Sequence, residues 1–361
     1  MRRTIRKAII RPGFSITLAF CCGFAFTGYR RTFRTTSSSV LTKMNEWRTL
    51  APESLVAAPC LIEQTLCQTT DEQARLAKDT DYAKAVLDQW REEEDFSWQA
   101  VWKPVVYQDK SATNLYGYCI KKHASETSDH DDIPGIVLFH TGAGPHDIFL
   151  LYKAVSLVNL LEKDCVVFIA DILGDASGWA WDEDRSRYNA ARQEVLAVTD
   201  GDSSHARPLL QQRITAALDY LGANESVDRF GAMGWCLGGH PILEMSRMTA
   251  IRSQIRAMAT FHGVFDGMPP PNELERVSRS TIDVLICHGT QDPFVSEQML
   301  EDALATLQAQ RCRTTLLQLP AKHGFSNPAQ DFNPNPAFAY NAEAAAKAWR
   351  QAVNLFKAKL W

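Results

Sequence analysis

The feature that most constrains this chain is the turn Gly234-Trp235-Cys236-Leu237-Gly238. It follows a short apolar run, Arg229 to Met233, and leads into a helix-like run, Pro241 to Met248. A turn this tight between strand and helix holds its central residue in a strained backbone conformation and lifts that side chain above the sheet. The flanking positions pass too close to other backbone to tolerate a Cβ, so glycine stands at both. A cysteine raised in this way is a candidate nucleophile, and it needs a base and an acid from elsewhere in the chain.

The segments around the turn alternate. Val101 to Tyr107 and Leu115 to Ile120 read as a hairpin joined through Asp109-Lys110-Ser111. Gly135 to Phe139 and Cys165 to Ala170 are continuous apolar runs, the pattern of strands buried on both faces. Ile255 to Phe261, Ile282 to Cys287 and Thr314 to Leu319 read as further strands. Between them lie helical stretches: an amphipathic one over Phe149 to Leu161, then Arg187 to Val198, Ala206 to Leu221, Glu297 to Gln310 and a closing one over Ala337 to Leu360. Such alternation predicts an α/β fold with a mostly parallel central sheet and helices on both faces, spanning residues 98–361. Residues 46–97 read as a helical lead-in packed on the domain edge.

Charge separates the first 45 residues from the rest. They hold nine of the 38 Lys and Arg and none of the 42 Asp and Glu. A basic start, an uncharged stretch from Pro12 to Tyr29 and an Arg-, Thr- and Ser-rich tail predict a targeting segment. The expected destination is an organelle, mitochondrion or plastid; a signal anchor or secretory signal is the alternative. The acidic remainder is a poor partner for nucleic acid. The nine cysteines are odd in number and form no C-x-x-C pair, which fits a reducing compartment and neither a disulfide framework nor a zinc ribbon. His130-Asp131-Asp132 in the loop Lys121 to Asp132 reads as a solvated charge run, not a metal site.

Partners for Cys236 follow it in the sequence. The strand Ile282 to Cys287 runs into His288-Gly289-Thr290-Gln291-Asp292-Pro293, and the strand Thr314 to Leu319 into Pro320-Ala321-Lys322-His323-Gly324. Singly, each residue has an ordinary structural reading: a buried small cysteine, an Asp-Pro turn former, a satisfied histidine. Together they stand in the order nucleophile, acid, base, each just past a strand, which is the order of the α/β-hydrolase triad. Gly142-Ala143-Gly144 lacks the third glycine of a dinucleotide fingerprint.

Gly234 to Gly239, Gly289-Thr290-Gln291-Asp292-Pro293 and His323-Gly324-Phe325-Ser326-Asn327-Pro328 resemble the three signatures of the dienelactone hydrolase family. Phe261-His262-Gly263 and Ala339-Tyr340-Asn341-Ala342 resemble its broader branch. The resemblance covers roughly residues 101–360. It implies an α/β-hydrolase fold, a triad of Cys236, His323 and Asp292, and cleavage of an ester or lactone through an acyl-thioester, with no cofactor and no metal. The backbone N–H groups of Gly142 and Leu237 would face the oxyanion. Thr141 and Trp235 would stand at the substrate, His140 would support the loop, Trp179 and Trp181 would line the pocket or the core, and Arg185 and Arg187 would meet an anion. The expected partner is a small ester or lactone; no stable membrane association is expected of the mature domain, as a monomer or homodimer.

Two positions depart from the family. Relatives often carry His-Glu after the first buried strand, where this chain has His140-Thr141. Without that carboxylate, Cys236 rests as a thiolate paired with protonated His323, or is less finely controlled, or belongs to a degenerate site. Dienelactone hydrolases proper carry an Arg four residues past the catalytic His to bind the substrate carboxylate, and here that residue is Asn327. A catalytically inactive binding protein and an acyltransferase therefore stay open beside the hydrolase.

Overall fold

The computed structural model describes residues 47–49, 85–86, 88–89, 100–122, 133–174, 185–198, 206–267 and 282–361. The targeting segment, His130 to Asp132, Trp179 and Trp181 lie outside these residues.

Nine strands form one sheet in the order β1-β2-β3-β5-β4-β6-β7-β8-β9. They are β1 Arg48–Thr49, β2 Ala100–Gln108, β3 Asn114–Lys122, β4 Gly135–Phe139, β5 Val166–Ala170, β6 Phe230–Trp235, β7 Ile255–Phe261, β8 Asp283–Gly289 and β9 Arg313–Leu319. The pairs from β5 through β9 are parallel, and β1, β2 and β3 join antiparallel at one edge. β4 and β5 are buried at every residue, as their unbroken apolar sequences predict. Since β4 to β9 all point one way, the loops that leave them gather along one edge of the sheet.

Helices cover both faces. On one side lie α1 (Ile148–Leu160) and α6 (Ala342–Lys359); on the other lie α3 (Pro208–Glu225), α4 (Gly239–Arg247) and α5 (Glu297–Ala309). The helix α2 (Ser186–Val195) buries only Val195. Side chains cap the starts: Asp147, Ser296 and Asn341 accept backbone N–H groups of Phe149, Met299 and Ala344. In α6 the buried positions, among them Ala345, Ala348, Trp349, Ala352 and Phe356, recur at helical spacing and form one stripe.

Three expectations are corrected. α1 is not amphipathic: Ile148 to Val158 are all buried, because α6 and Val86 of the lead-in share its cluster. The lead-in is not purely helical, since β1 adds a strand beside Trp102 and Val101 at the edge of the sheet; its Val86 is fully buried. α6 starts at Ala342, not at Ala337, because Asn341 caps it and Phe338 is drawn into a bridge with His323. Among the described residues no helix is long and apolar enough to cross a membrane.

Candidate active site

The turn after β6 makes one tight loop, Cys236–Gly238, before α4. Cys236 has φ 52°, a left-handed conformation that a non-glycine residue adopts at a cost of roughly 1–3 kcal/mol. A Cβ on Gly234 would lie 2.5 Å from the Gly238 carbonyl carbon, and one on Gly238 would lie 2.5 Å from the Phe139 oxygen. Both glycines are therefore required by close approach of backbone. Val264 N–H holds the Cys236 carbonyl at 2.9 Å, which ties the turn to the loop after β7. Cys236 as a whole is half-buried.

The residues expected to meet Cys236 do so. His323 hydrogen-bonds the sulfur, and so do the backbone N–H groups of Gly142 and Leu237. On the far side of the imidazole, Nδ1 lies 2.6 Å from Asp292 Oδ2. Asp292 itself is positioned by Phe294 N–H, which donates to Oδ1 at 2.9 Å. Burial opposes charge on both partners, yet the partners win. The Cys236 thiol is lowered by the nearby imidazolium and by the two amides. The His323 imidazole is raised by the thiolate and by Asp292. Both shifts run toward the thiolate–imidazolium form of the pair. Burial in apolar surroundings pushes Cys165 up to about 12 and raises Cys119 and Cys287 further, so Cys236 stands apart from these three.

Other predicted residues do something different. Trp235 does not line the pocket. It is fully buried, its ring stacked on Phe261 at 5.0 Å and meeting Phe149 edge-on at 6.1 Å. Strand alternation is the reason, because the residue before the raised cysteine points into the opposite layer. Thr141 is buried, and its Oγ1 accepts Ala143 N–H at 3.0 Å, which makes it a cap of the loop after β4. Asn327 is also buried, and its Oδ1 accepts Ala329 N–H at 3.0 Å, a turn cap where the family's arginine would stand. Arg187 is exposed on α2. Arg185 lies 4.1 Å over the Tyr188 ring and donates to the Gly142 carbonyl at 3.1 Å, so it braces the loop.

Several groups went unnoticed in the sequence. Tyr188 is close enough to Cys236 for the thiolate to raise its phenol, after burial. His323 is ringed by His262 and Phe294, each at 4.9 Å, and by Phe338 at 5.1 Å. Phe294 is 40% exposed, which opens an apolar surface beside the imidazole. Burial and the neighbouring imidazolium hold His262 well below its usual range, so it is neutral; its Nε2 meets Ser326 Oγ at 3.0 Å. A further network lies beside the turn. Arg207 Nη1 donates to His240 Nδ1 at 2.9 Å, His240 Nε2 faces Asp266 Oδ1 at 3.2 Å, and Arg192 bonds the same oxygen at 2.5 Å. These residues come from distant loops and helices, and only His262 carried a signal, through the Phe-His-Gly pattern. Among the described residues no group of His, Cys, Asp and Glu is arranged to hold a metal ion.

Residues 121–360 match the model of the dienelactone hydrolase family. The chain is 28% identical over 217 residues to a Bradyrhizobium sp. protein named "Probable 2-oxo-3-(5-oxofuran-2-ylidene)propanoate lactonase", covering 56% of this chain and 80% of the relative. Among solved structures it is similar to a dienelactone hydrolase-like promiscuous phosphotriesterase from metagenomic libraries, at 28% identity and a TM-score of 0.56, covering 72% of this chain and 98% of the other. The chain belongs to the dienelactone hydrolase family, with the α/β-hydrolase fold and the ester- or lactone-hydrolysing character of that family.

Proposed function

We propose that the protein cleaves a small ester or lactone through a covalent acyl-thioester on Cys236, with His323 as base and acid and Asp292 as its orienting carboxylate. The observation that carries this reading is the half-buried Cys236 at the strained turn, its sulfur held by His323 and by two backbone amides. The thiolate attacks the substrate carbonyl carbon. The oxygen takes up the negative charge and faces the N–H groups of Gly142 and Leu237, the two amides that hydrogen-bond the resting sulfur. The tetrahedral species collapses with loss of the C–O bond, and His323 gives its Nε2 proton to the departing oxygen. In a lactone that oxygen stays tethered as a hydroxyl. Water then gives a proton to His323 and attacks the thioester. The second collapse releases the acid and restores thiolate and imidazolium.

Asp292 keeps a proton on Nδ1 and stabilises the cation, as the acid of a triad does. The departing oxygen must lie near His323 Nε2, so Phe294 and Phe338 face the leaving-group side and favour an apolar group there. Two relatives inform the substrate: one bears the name of a lactonase, the other that of a promiscuous phosphotriesterase. With Asn327 turned into a cap, recognition of a substrate carboxylate at that position is not part of the proposal.

A panel of small esters, lactones and thioesters tests the reading, with Cys236→Ala as the blank. Turnover of at least one member should fall on the order of a thousandfold or more in the variant. Intact protein mass should show an acyl adduct on the wild type that hydroxylamine removes. Activity that survives Cys236→Ala would end the proposal.

A further inference from the structure

The N–H of Gly142 belongs to the peptide group between Thr141 and Gly142, and the other end of that peptide is held unusually well. The Thr141 carbonyl accepts from Gly144 N–H at 3.2 Å and lies 2.6 Å from His140 Nδ1. His140 is fully buried at the end of β4, and its Nε2 lies 3.1 Å from Ile172 N–H. A backbone N–H can only donate, so Nε2 is the unprotonated nitrogen. The proton of the neutral ring is then on Nδ1, and His140 donates to the Thr141 carbonyl. The carboxylate nearest to this ring is Asp171, whose Oδ1 is 3.6 Å from Nε2, beyond hydrogen-bonding distance. That oxygen accepts Leu173 N–H at 2.8 Å and Gly174 N–H at 3.0 Å. The following peptide is pinned too, by Arg185 on the Gly142 carbonyl at 3.1 Å and by Thr141 Oγ1 on Ala143 N–H at 3.0 Å.

We propose that His140 is a positioning residue for the oxyanion amide: its Nδ1–H polarises the Thr141–Gly142 peptide and aims the opposite N–H at the sulfur and at the oxyanion that forms beside it. Two donors on one carbonyl draw electrons from the amide nitrogen and strengthen the hydrogen bond on its other end, by about 10–30% per bond in such chains. The same amide serves the resting thiolate and the transition state, so His140 acts on both. The inference rests on the reading of Cys236 as nucleophile for its kinetic half, and on geometry alone for its effect on the thiol.

The test uses the full chain and three variants. Asparagine places an N–H close to the position of Nδ1, whereas glutamine reaches the position of Nε2 and leucine offers no donor. Two readouts are taken: kcat and KM on the best ester or lactone of the panel, and the pH dependence of Cys236 alkylation by iodoacetamide. H140L and H140Q should lower kcat about tenfold or more with KM little changed, a fraction of the effect of deleting an oxyanion donor. Their alkylation midpoints should rise by about half a pH unit or more. H140N should recover most of both. Equal losses in all three folded variants would overturn the proposal, as would a midpoint that H140Q and H140L leave unmoved. If H140L does not fold, the contrast between H140N and H140Q decides. If no compound of the panel is turned over, the catalytic reading fails, and the alkylation midpoints still decide the role of His140 toward the sulfur.

Discussion

His323 and His240 are both buried imidazoles that face a carboxylate, and they differ in charge. His323 meets Asp292 at 2.6 Å and is held protonated; His240 meets Asp266 at 3.2 Å and is lowered to about 4, first by burial and then by Arg207. The carboxylate is common to both, so it does not decide the outcome. The second ring nitrogen decides. That of His323 faces the sulfur of Cys236, which becomes an anion on giving up its proton. That of His240 faces Arg207, a permanent cation that can only donate. Nδ1 of His240 is therefore an acceptor, and Nε2 carries the proton that Asp266 receives as a hydrogen bond. Asp266 has in addition Arg192 on the same oxygen, so its charge is already answered.

The largest effect is expected from Asp292→Asn. Loss of the orienting carboxylate should lower kcat by about 10³–10⁴, the scale for a triad whose acid becomes an amide. A loss of less than tenfold in steady-state kinetics would show that Asp292 does not orient His323. Next is Arg207→Met. Arg207 is buried and also donates to the carbonyls of Asp266 at 3.0 Å and Gly267 at 2.7 Å. Its removal should cost about 3–5 kcal/mol in urea unfolding, because it strands buried partners. The His240 proton signal should then titrate well above 4 by NMR. If His240 kept its low value, burial alone and not the guanidinium would be responsible.

The smallest effect concerns acid. The folded pKa of His240 lies below its ordinary value, so the unfolded chain binds its proton more readily. Its contribution is fully present above about pH 6.5 and is lost as pH falls toward 4, on the order of 3 kcal/mol in all. His262 is depressed too and acts in the same direction. His323 acts in the opposite sense: its folded value is raised, so its contribution is present below the unfolded value and is lost as pH rises through the folded one. Urea midpoints at pH 7 and pH 4.5 should therefore differ, and the difference should shrink in His240→Gln. An unchanged difference would remove His240 from this account.

Much of the site was legible because it is made of strand ends. Cys236, Asp292 and His323 each follow an apolar run, and parallel strands must deliver such residues to one edge. The glycines around Cys236 were legible for a steric reason that the close contacts confirm. The direction of Trp235 could have been read from alternation along β6, but an aromatic residue beside a nucleophile suggested a pocket. Thr141 and Asn327 were recognised as departures; that both turn into backbone caps was not visible, since a side chain that caps looks the same in sequence as one that meets a ligand.

The sequence by itself determined the raised cysteine, the chain order of the residues that gather around it and the alternation that builds the sheet, because these depend on local sterics and on the periodicity of burial. Only the tertiary structure decided the charges. Whether an imidazole beside a carboxylate is cationic or neutral depends on what reaches its other nitrogen. For His323 that is a sulfur 87 residues away in the chain, and for His240 the guanidinium of Arg207, 33 residues away at the residue just before α3. His140 follows the same rule, its proton placed by the amide of Ile172. Protonation is set through space, by burial and by neighbours that a linear pattern does not bring together.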